Sequence, residues 1–87
     1  MSLSFPNDSR SYDATRRAVR FWGYDSAMES SFFLTEEAMK RVQPGVAPGQ
    51  AAALRVFDDN RQLIYAAATK VFKRGRKGSY DLIASDF

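Results

Sequence analysis

The chemistry that this sequence offers most clearly is anion binding, and the residues that could perform it lie close together. Five of the eight residues from position 70 to 77 are cationic: Lys70, Lys73, Arg74, Arg76 and Lys77. Such clusters bind phosphate groups, with an affinity that falls steeply as salt rises. On a continuous helix all of them except Arg76 would share one face, because they are spaced by three or four residues. The segment predicts contact with nucleic acid or another anionic macromolecule.

The same cluster has a structural interpretation, because cations near a helix C-terminus stabilise the helix dipole. Gly75 lies inside the cluster and is typical of a helix end. We also expect the chain to lack both the aromatic signature of an RNA-recognition sheet and the Gly-x-x-Gly clamp of KH domains. Its two predicted helices are joined by about seven residues, whereas a helix-turn-helix needs a turn of roughly three or four. The cluster is therefore either a binding surface or a solvated helix end.

Arg20 is a further candidate for a phosphate contact. It shares one face of a predicted strand with Trp22, while Val19 and Phe21 share the other face. An exposed sheet face that carries Arg20 and Trp22 could stack on bases. Alternatively, Trp22 belongs to the core or to an interface, where large aromatic side chains are common.

The composition argues against an enzyme. The 87 residues include neither histidine nor cysteine. This removes the usual proton shuttle at neutral pH, the usual zinc ligands, and every nucleophile that pairs with histidine. Asp58 and Asp59 would point about 100° apart on a helix, so they cannot chelate together. We expect local pairs instead, Asp58 with Arg61 and Asp59 with Arg55. We expect no catalytic, cofactor-binding or metal-binding residues.

The partners and location follow from charge and hydropathy. The net charge is +3, which permits nucleic acid as a partner without requiring it. The first residues lack the basic and apolar regions of a signal peptide, and no apolar run reaches the roughly 18–20 residues of a membrane span. We expect a cytoplasmic protein of one domain over residues 1–87 that does not enter a membrane.

Three strands are predicted to position these residues. Residues 15–22 and 28–34 alternate in hydropathy around a turn at 23–26, which predicts an antiparallel hairpin. Residues 79–87 predict a third strand that returns beside the first or the second. Residues 1–14 predict an irregular N-terminal arm that is pinned by Leu3, Phe5 and Tyr12.

Two helices complete the prediction. Thr35 can cap a short helix over 36–42, and a breaker-rich loop over 43–49 follows it. The next helix is long. It begins near Gln50, and its amphipathic run extends from 54 to 77. The predicted fold class is α+β, in the order β-β-α-α-β, with a three-stranded antiparallel sheet packed against one long and one short helix.

The long helix raises two further questions. Its apolar stripe comprises Ala53, Leu54, Phe57, Ile64, Tyr65, Ala68, Val71 and Phe72. Arg61 falls inside this stripe, so it must extend to solvent or pair with a carboxylate, and Glu29, Asp81 and Asp86 are candidates. Val56, Leu63 and Ala67 are apolar on the opposite side. Either the short helix covers them, through Met39 and Val42, or a second copy does so in a homodimer.

Several spaced motifs resemble a family of small bacterial proteins, the domain-of-unknown-function family numbered 1488. They are Ser11-Tyr12-Asp13 with Val19-Arg20-Phe21, Phe57-x-x-x-Arg61-x-x-Ile64, and Tyr80-x-Leu82-x-x-x-Asp86-Phe87. The resemblance covers nearly the whole chain and implies a compact α+β domain that stands alone. It implies no activity and no binding residues. The residues therefore favour a binding or regulatory protein associated with nucleic acid, with a homodimeric interaction module as the alternative.

Overall fold

The structure is a computed structural model that describes residues 3–75 and 77–87. Its elements in chain order are β1 (Arg10–Asp13), β2 (Ala18–Asp25), β3 (Met28–Leu34), α1 (Glu36–Val42), α2 (Gln50–Asp59), α3 (Arg61–Arg74), β4 (Ser79–Leu82) and a final 3-10 turn (Ala84–Asp86). The three α-helices of this part of the chain pack against one face of the sheet, where their apolar residues join those of the strands in one core. The α+β class is confirmed.

The sheet differs from the prediction. Its spatial order is β1-β2-β3-β4, and β2 pairs with β1 and β3 in antiparallel fashion. β4 pairs with β3 in parallel. The prediction of three antiparallel strands in β-β-α-α-β order is therefore wrong, because the sheet is four-stranded and mixed and the order is β-β-β-α-α-α-β. The chain crosses over through α1, α2 and α3 before it returns, and such a crossover allows the parallel pairing.

The N-terminal arm is more regular than predicted. β1 lies within it, and Ser4 pairs with Tyr24 through two backbone hydrogen bonds of 2.8 Å each. The ring of Phe5 stacks on that of Tyr65 with a centroid distance of 4.1 Å. The arm thus extends along β2 and covers part of the helices. Positions 1 and 2 of the predicted arm lie outside the described residues.

The hairpin of β2 and β3 is shifted along the chain. β2 begins at Ala18 and continues to Asp25, so the predicted turn residues Gly23 and Tyr24 belong to the strand. The reversal comes at Ser26, which has a φ of 56°. The predicted alternation is nevertheless confirmed, because Val19 and Phe21 are buried and Arg20 is exposed.

The short helix agrees with its prediction. α1 spans Glu36–Val42, and the Thr35 hydroxyl accepts a hydrogen bond from the backbone N–H of Ala38 at 3.3 Å. The same hydroxyl donates to the carbonyl of Leu82 at 2.7 Å. Thr35 therefore ties the start of α1 to the end of β4 as well as capping the helix.

The long helix does not exist as predicted, because it is interrupted at Asn60 and ends at Arg74. The side-chain amide of Asn60 donates to the carbonyl of Val56 at 2.9 Å. Its backbone N–H donates to the carbonyl of Phe57. Asparagine competes in this way with the regular helical bonds. Phe57 and Ile64 still lie in the core on either side of the break.

Candidate functional site

The basic cluster is positioned by two aromatic anchors. Phe72 near the end of α3 and Tyr80 in β4 are both buried, and their rings lie 5.7 Å apart. The Tyr80 hydroxyl accepts a hydrogen bond from the backbone N–H of Lys77 at 2.7 Å. α3 ends with Gly75 as its C-cap. The chain is thus held on both sides of the loop, at Gly75 and at Lys77.

The cluster is partly neutralised. Lys70, Lys73 and Lys77 are exposed, and none of them has an ion pair within the described residues. Arg74 instead pairs with Asp86 at 3.2 Å. The Asp86 side chain is 5% exposed and that of Arg74 is 63% exposed. The predicted residue Arg76 lies outside the described part of the chain. Among the described residues of the cluster, Arg74 is therefore paired and the three lysines have no ion pair.

The expectation that the sequence lacks a Gly-x-x-Gly spacing is wrong, because the loop between α3 and β4 contains one. Gly75 and Gly78 frame Arg76 and Lys77 as Gly-x-x-Gly. KH domains clamp a nucleic-acid backbone with a loop of this pattern. A side chain added at either glycine would meet no atom within 4 Å. Packing against the described residues therefore does not explain these glycines, and a ligand could approach the backbone closely.

A cavity of about 290 Å³ lies beside the cluster. Its apolar lining includes Phe72, Tyr80 and Met28. Its charged lining comprises Lys77 and two acids, Asp25 and Glu29. Glu29 accepts a short hydrogen bond from the hydroxyl of Tyr24. This bond is the main reason that the pKa of Tyr24 is raised above its ordinary value. The cavity therefore presents both signs of charge at its rim.

Arg20 lies on the other face of the sheet, away from α3. Its guanidinium carbon is 5.3 Å from the ring centroid of Trp22 and 5.7 Å from that of Phe33. Its Nη2 donates to the hydroxyl of Ser31 at 3.0 Å. The structure therefore does not bring Arg20 next to Lys70 and Lys73. Trp22 is half-buried on this outer face and is not part of the core cluster.

The outer face also carries Arg16 and Phe33, which the prediction did not single out. The Arg16 guanidinium carbon lies 4.2 Å from the ring centroid of Phe33. Arg16 pairs with Asp81 at 3.5 Å and with Asp13 at 3.9 Å. The alternation of Phe33 with Phe32 and Leu34 was the available signal that one aromatic ring points away from the core.

Arg61 has a structural role. It bonds Asp58 at 2.9 Å, the Tyr65 hydroxyl at 2.9 Å and the carbonyl of Asp8 at 3.0 Å. Its guanidinium carbon also lies 4.8 Å from the ring centroid of Phe57. The expected pair with Asp58 is confirmed, and the sheet carboxylates proposed as partners do not take part. Arg61 thus ties the N-terminal arm to α3.

The apolar residues on the second side of the helix are mostly covered within the chain. Val56 and Ala67 are buried, and so is Met39 of α1. Leu63 is the exception, because it is 51% exposed. It lines a surface groove with Ala66, Phe87 and other residues.

Over residues 3–75 and 77–87, no group of three or more histidine, cysteine, aspartate or glutamate side chains could hold a metal ion. Within the same residues, no helix has both the length and the apolar character of a membrane span.

These features define a small α+β protein with helices on one sheet face, an opposite face with aromatic, basic and acidic side chains, and a cationic helix end. The family model described as "Protein of unknown function (DUF1488)" matches residues 3–83, so the chain belongs to the DUF1488 family. A crystal structure of a DUF1488 protein of unknown function from Shewanella loihica PV-4 is similar to it. The TM-score is 0.81 at 17% identity, over 93% of this chain and 91% of the other. None of the curated proteins compared matches the sequence.

Proposed function

We propose that this protein is a non-enzymatic accessory protein that binds nucleic acid in the cytoplasm. Phosphate contacts would come from the basic segment, which is the cluster of Lys70, Lys73, Arg74, Arg76 and Lys77. Arg20 on the sheet would be a further cation. The observation that carries the proposal is the exposure of Lys70, Lys73 and Lys77 without ion pairs in the described residues.

The magnitude of the charge favours binding over a purely structural role. The C-terminus of a helix carries roughly half a negative charge. One cation is enough to complement it, and Lys73 and Arg74 already lie in the last turn of α3. Lys70 and Lys77 exceed that requirement. Gly75 and Gly78 add a backbone segment that a phosphate can approach, since neither is confined by neighbouring atoms.

The proposal is tested by the salt dependence of binding. Labelled single-stranded and duplex oligonucleotides are titrated with the protein at about 50 to 200 mM salt, and binding is followed by fluorescence anisotropy. We expect the logarithm of the binding constant to fall linearly with the logarithm of the salt concentration. The double variant Lys70→Ala/Lys73→Ala should reduce the slope by about 1 for each lost phosphate contact.

A matched control is available on α1, where Lys40 and Arg41 are also exposed cations in the last turn of a helix. The variant Lys40→Ala/Arg41→Ala removes the same charge elsewhere on the surface. It should bind nearly as well as the wild-type protein. Equal losses in both double variants would show that only net charge matters, and an absence of binding even at low salt would end the proposal.

A homodimeric interaction module without a nucleic-acid role is the second candidate. Leu63 favours it, because a half-exposed leucine beside Phe87 is an apolar surface of the kind that dimer interfaces cover. Sedimentation of the wild-type protein and of Leu63→Glu provides the test. A wild-type dimer that the variant converts to a monomer supports this candidate, and a wild-type monomer at high concentration contradicts it.

A further inference from the structure

The cavity beside the end of α3 opens where β3 extends beyond β4. β4 pairs with β3 from Ser31 onward, so Met28, Glu29 and Ser30 precede the first paired residue. Within the described residues no strand lies beside these three on the β4 side, which leaves the inner face of the sheet accessible there. The cavity has a volume of about 290 Å³, close to the lower end of small-molecule sites at roughly 300 Å³. It therefore suits a small ligand rather than a macromolecule.

Ser30 places a hydroxyl on the inner surface of this cavity. Successive strand residues alternate between faces, so Ser30 shares the helix-facing side of β3 with the buried residues Phe32 and Leu34. Ser30 is 8% exposed, and its hydroxyl forms no hydrogen bond among the described residues. In this part of the chain no fully enclosed side-chain N or O atom lacks a partner, so the hydroxyl is reached from the cavity that it lines. Buried polar side chains normally have a partner, and here a ligand can supply it.

The apolar lining of the cavity is largely aromatic. Phe72 and Tyr80 are buried, and their rings lie 5.7 Å apart. Phe32 stacks on Tyr80 with a centroid distance of 4.9 Å, which helps to fix the position of that ring. Met28 is 66% exposed and adds a thioether to the lining. Aromatic rings and methionine sulfur both make favourable contacts with a further aromatic ring. The lining therefore favours a ligand with an aromatic body.

The charged residues of the cavity favour an ammonium group on that ligand. Asp25 and Glu29 contribute two carboxylates, against one ammonium from Lys77. Glu29 accepts a hydrogen bond from Tyr24, but a carboxylate has about four acceptor positions and so retains capacity for another donor. Lys77 is exposed and has no ion pair in the described residues, so it can receive a carboxylate if the ligand has one.

We propose that this cavity binds a small phenolic amine, with its ring against Phe72 and Tyr80, its hydroxyl bonded to Ser30 and its ammonium at Glu29. The inference goes beyond the proposed function and does not rest on it. Two sources share this chemistry. One is a free amine such as tyramine, and the other is the amino acid tyrosine, whose carboxylate would lie near Lys77.

Nuclear magnetic resonance of the isotope-labelled, full-length protein tests the site. The protein is titrated with tyramine, tyrosine and phenethylamine, which lacks the hydroxyl, to about 2 mM. Ligands of this size are expected to have dissociation constants of roughly 10 µM to 1 mM. The amide signals of Ser30, Lys77 and Gly78 should shift in a saturable manner. Tyramine should bind roughly 3- to 10-fold more tightly than phenethylamine, because it forms one further hydrogen bond. Tighter binding of tyrosine than of tyramine identifies the amino acid as the source, and the reverse identifies the free amine.

Ser30→Ala tests the contact between the two hydroxyls. It removes the hydroxyl with little change of shape, so tyramine and phenethylamine should then bind equally. The matched control is Ser31→Ala, because the Ser31 hydroxyl lies on the outer face and accepts a hydrogen bond from Arg20. This control should keep the preference for tyramine. A preference that survives in Ser30→Ala would contradict the assignment of Ser30.

Gly78→Leu tests the location of the site without touching the core. A side chain added at Gly78 would meet no atom within 4 Å, and Gly78 lines the cavity, so leucine should fill part of it and abolish binding. Gly75→Leu is the matched control, since Gly75 has equal space and does not line this cavity. Circular dichroism establishes that each variant is folded, and Gly78→Leu keeps the test valid if Ser30→Ala is not. Binding that Gly78→Leu leaves unchanged, or an absence of shifts at Ser30 and Gly78 with all three compounds, overturns the proposal.

Discussion

The guanidinium of Arg10 holds the carboxylate of Asp58 through two hydrogen bonds, from Nε to Oδ1 at 3.0 Å and from Nη2 to Oδ2 at 2.8 Å. These residues are 48 positions apart in the chain. Arg61 donates to the same carboxylate at 2.9 Å. One side chain at the end of α2 therefore joins the edge strand β1 to the start of α3, at the point where the helix is interrupted.

Asp58 should make the stability of the protein dependent on acidic pH. The hydrogen bond from Arg10 is the largest reason that the pKa of Asp58 lies below its ordinary value, and partial burial opposes the shift. The contribution of Asp58 is complete above its unfolded pKa of about 4 and is lost as pH falls through the lower folded pKa. Asp58→Asn should therefore lower the unfolding free energy at pH 7 and make its decline below about pH 4 shallower.

Urea denaturation at a series of pH values measures this effect. The matched control is Asp59→Asn, because Asp59 is an exposed neighbour whose expected pair with Arg55 does not form among the described residues. It should leave both the neutral stability and the acid dependence close to those of the wild type. Parallel curves for wild type and Asp58→Asn would contradict the role assigned to Asp58.

Thr35 provides a test of how α1 is attached to the sheet. Thr35→Ala loses the helix cap and the hydrogen bond to Leu82 together, so we expect it to lower the unfolding free energy by about 1–2 kcal/mol. Thr35→Ser keeps the hydroxyl and should lose less than about 1 kcal/mol. The comparison is made by urea denaturation at neutral pH. Equal losses in the two variants would show that the methyl group of threonine matters more than its hydroxyl.

Gly23 should be required by the N-terminal arm. A Cβ at this position would lie 2.9 Å from Cε1 of Phe5, 3.0 Å from Cδ1 of Leu3 and 3.0 Å from Cε1 of Phe32. Gly23→Ala should therefore destabilise the fold by roughly 1–3 kcal/mol, because the rings must move in a packed region. Thermal and urea unfolding measure the loss.

A double-mutant cycle separates the arm from the core at this position. In the background of Phe5→Ala the nearest obstacle is gone, so Gly23→Ala should cost less than it does in the wild type. The contacts with Leu3 and Phe32 remain, and some of the cost remains with them. An equal cost in both backgrounds would place the conflict at Leu3 or Phe32 rather than at Phe5.

The local features of the fold could be predicted from the sequence, and the non-local ones could not. Thr35 and the loop over 43–49 fix the bounds of α1 and the start of α2 through short-range chemistry. β1 contains only Tyr12 as an apolar residue, so it gives no strand periodicity, and it forms because β2 offers a free edge. The parallel pairing of β4 likewise depends on the path of the whole crossover.

The sequence contains an indication of the interruption at Asn60, but the apolar stripe on either side of Asn60 concealed it. Phe57 and Ile64 are seven residues apart, so they stay nearly in phase whether or not the helix continues. The positions between them that should carry the stripe hold Asn60 and Arg61 instead. A polar pair at the centre of an apolar stripe is therefore informative, because a buried continuous helix would have to desolvate both side chains.

The exposure of the basic segment was predictable from its composition, but its available charge was not. Arg74 is neutralised by Asp86, and Asp86 reaches it only because a 3-10 turn follows β4. The prediction instead placed Asp86 in a strand over 79–87. The separation of Arg20 from the lysines likewise follows from the sheet register, which the sequence does not reveal by itself.

The pair of Arg74 and Asp86 gives a prediction that links stability to binding. The Asp86 carboxylate also accepts the backbone N–H of Ile83 at 2.8 Å. Asp86→Asn should lower the unfolding free energy by about 1–3 kcal/mol, because an amide cannot satisfy both donors as a carboxylate does. It also releases the charge of Arg74. The dissociation constant for an oligonucleotide should fall several-fold, and the salt dependence should steepen by about one phosphate contact.

Arg74→Ala distinguishes the release of this arginine from a general increase in positive charge. In the wild type it should weaken binding, because the Asp86 carboxylate is then left uncompensated in the groove that it shares with Lys70. In the Asp86→Asn background it should remove most of the gain, since the released side chain is then absent. Anisotropy titrations of the four proteins measure the coupling between the two positions. A gain that persists without Arg74 would mean that Asp86 acts on the lysines, with which it shares a groove at Lys70, and not through its ion pair.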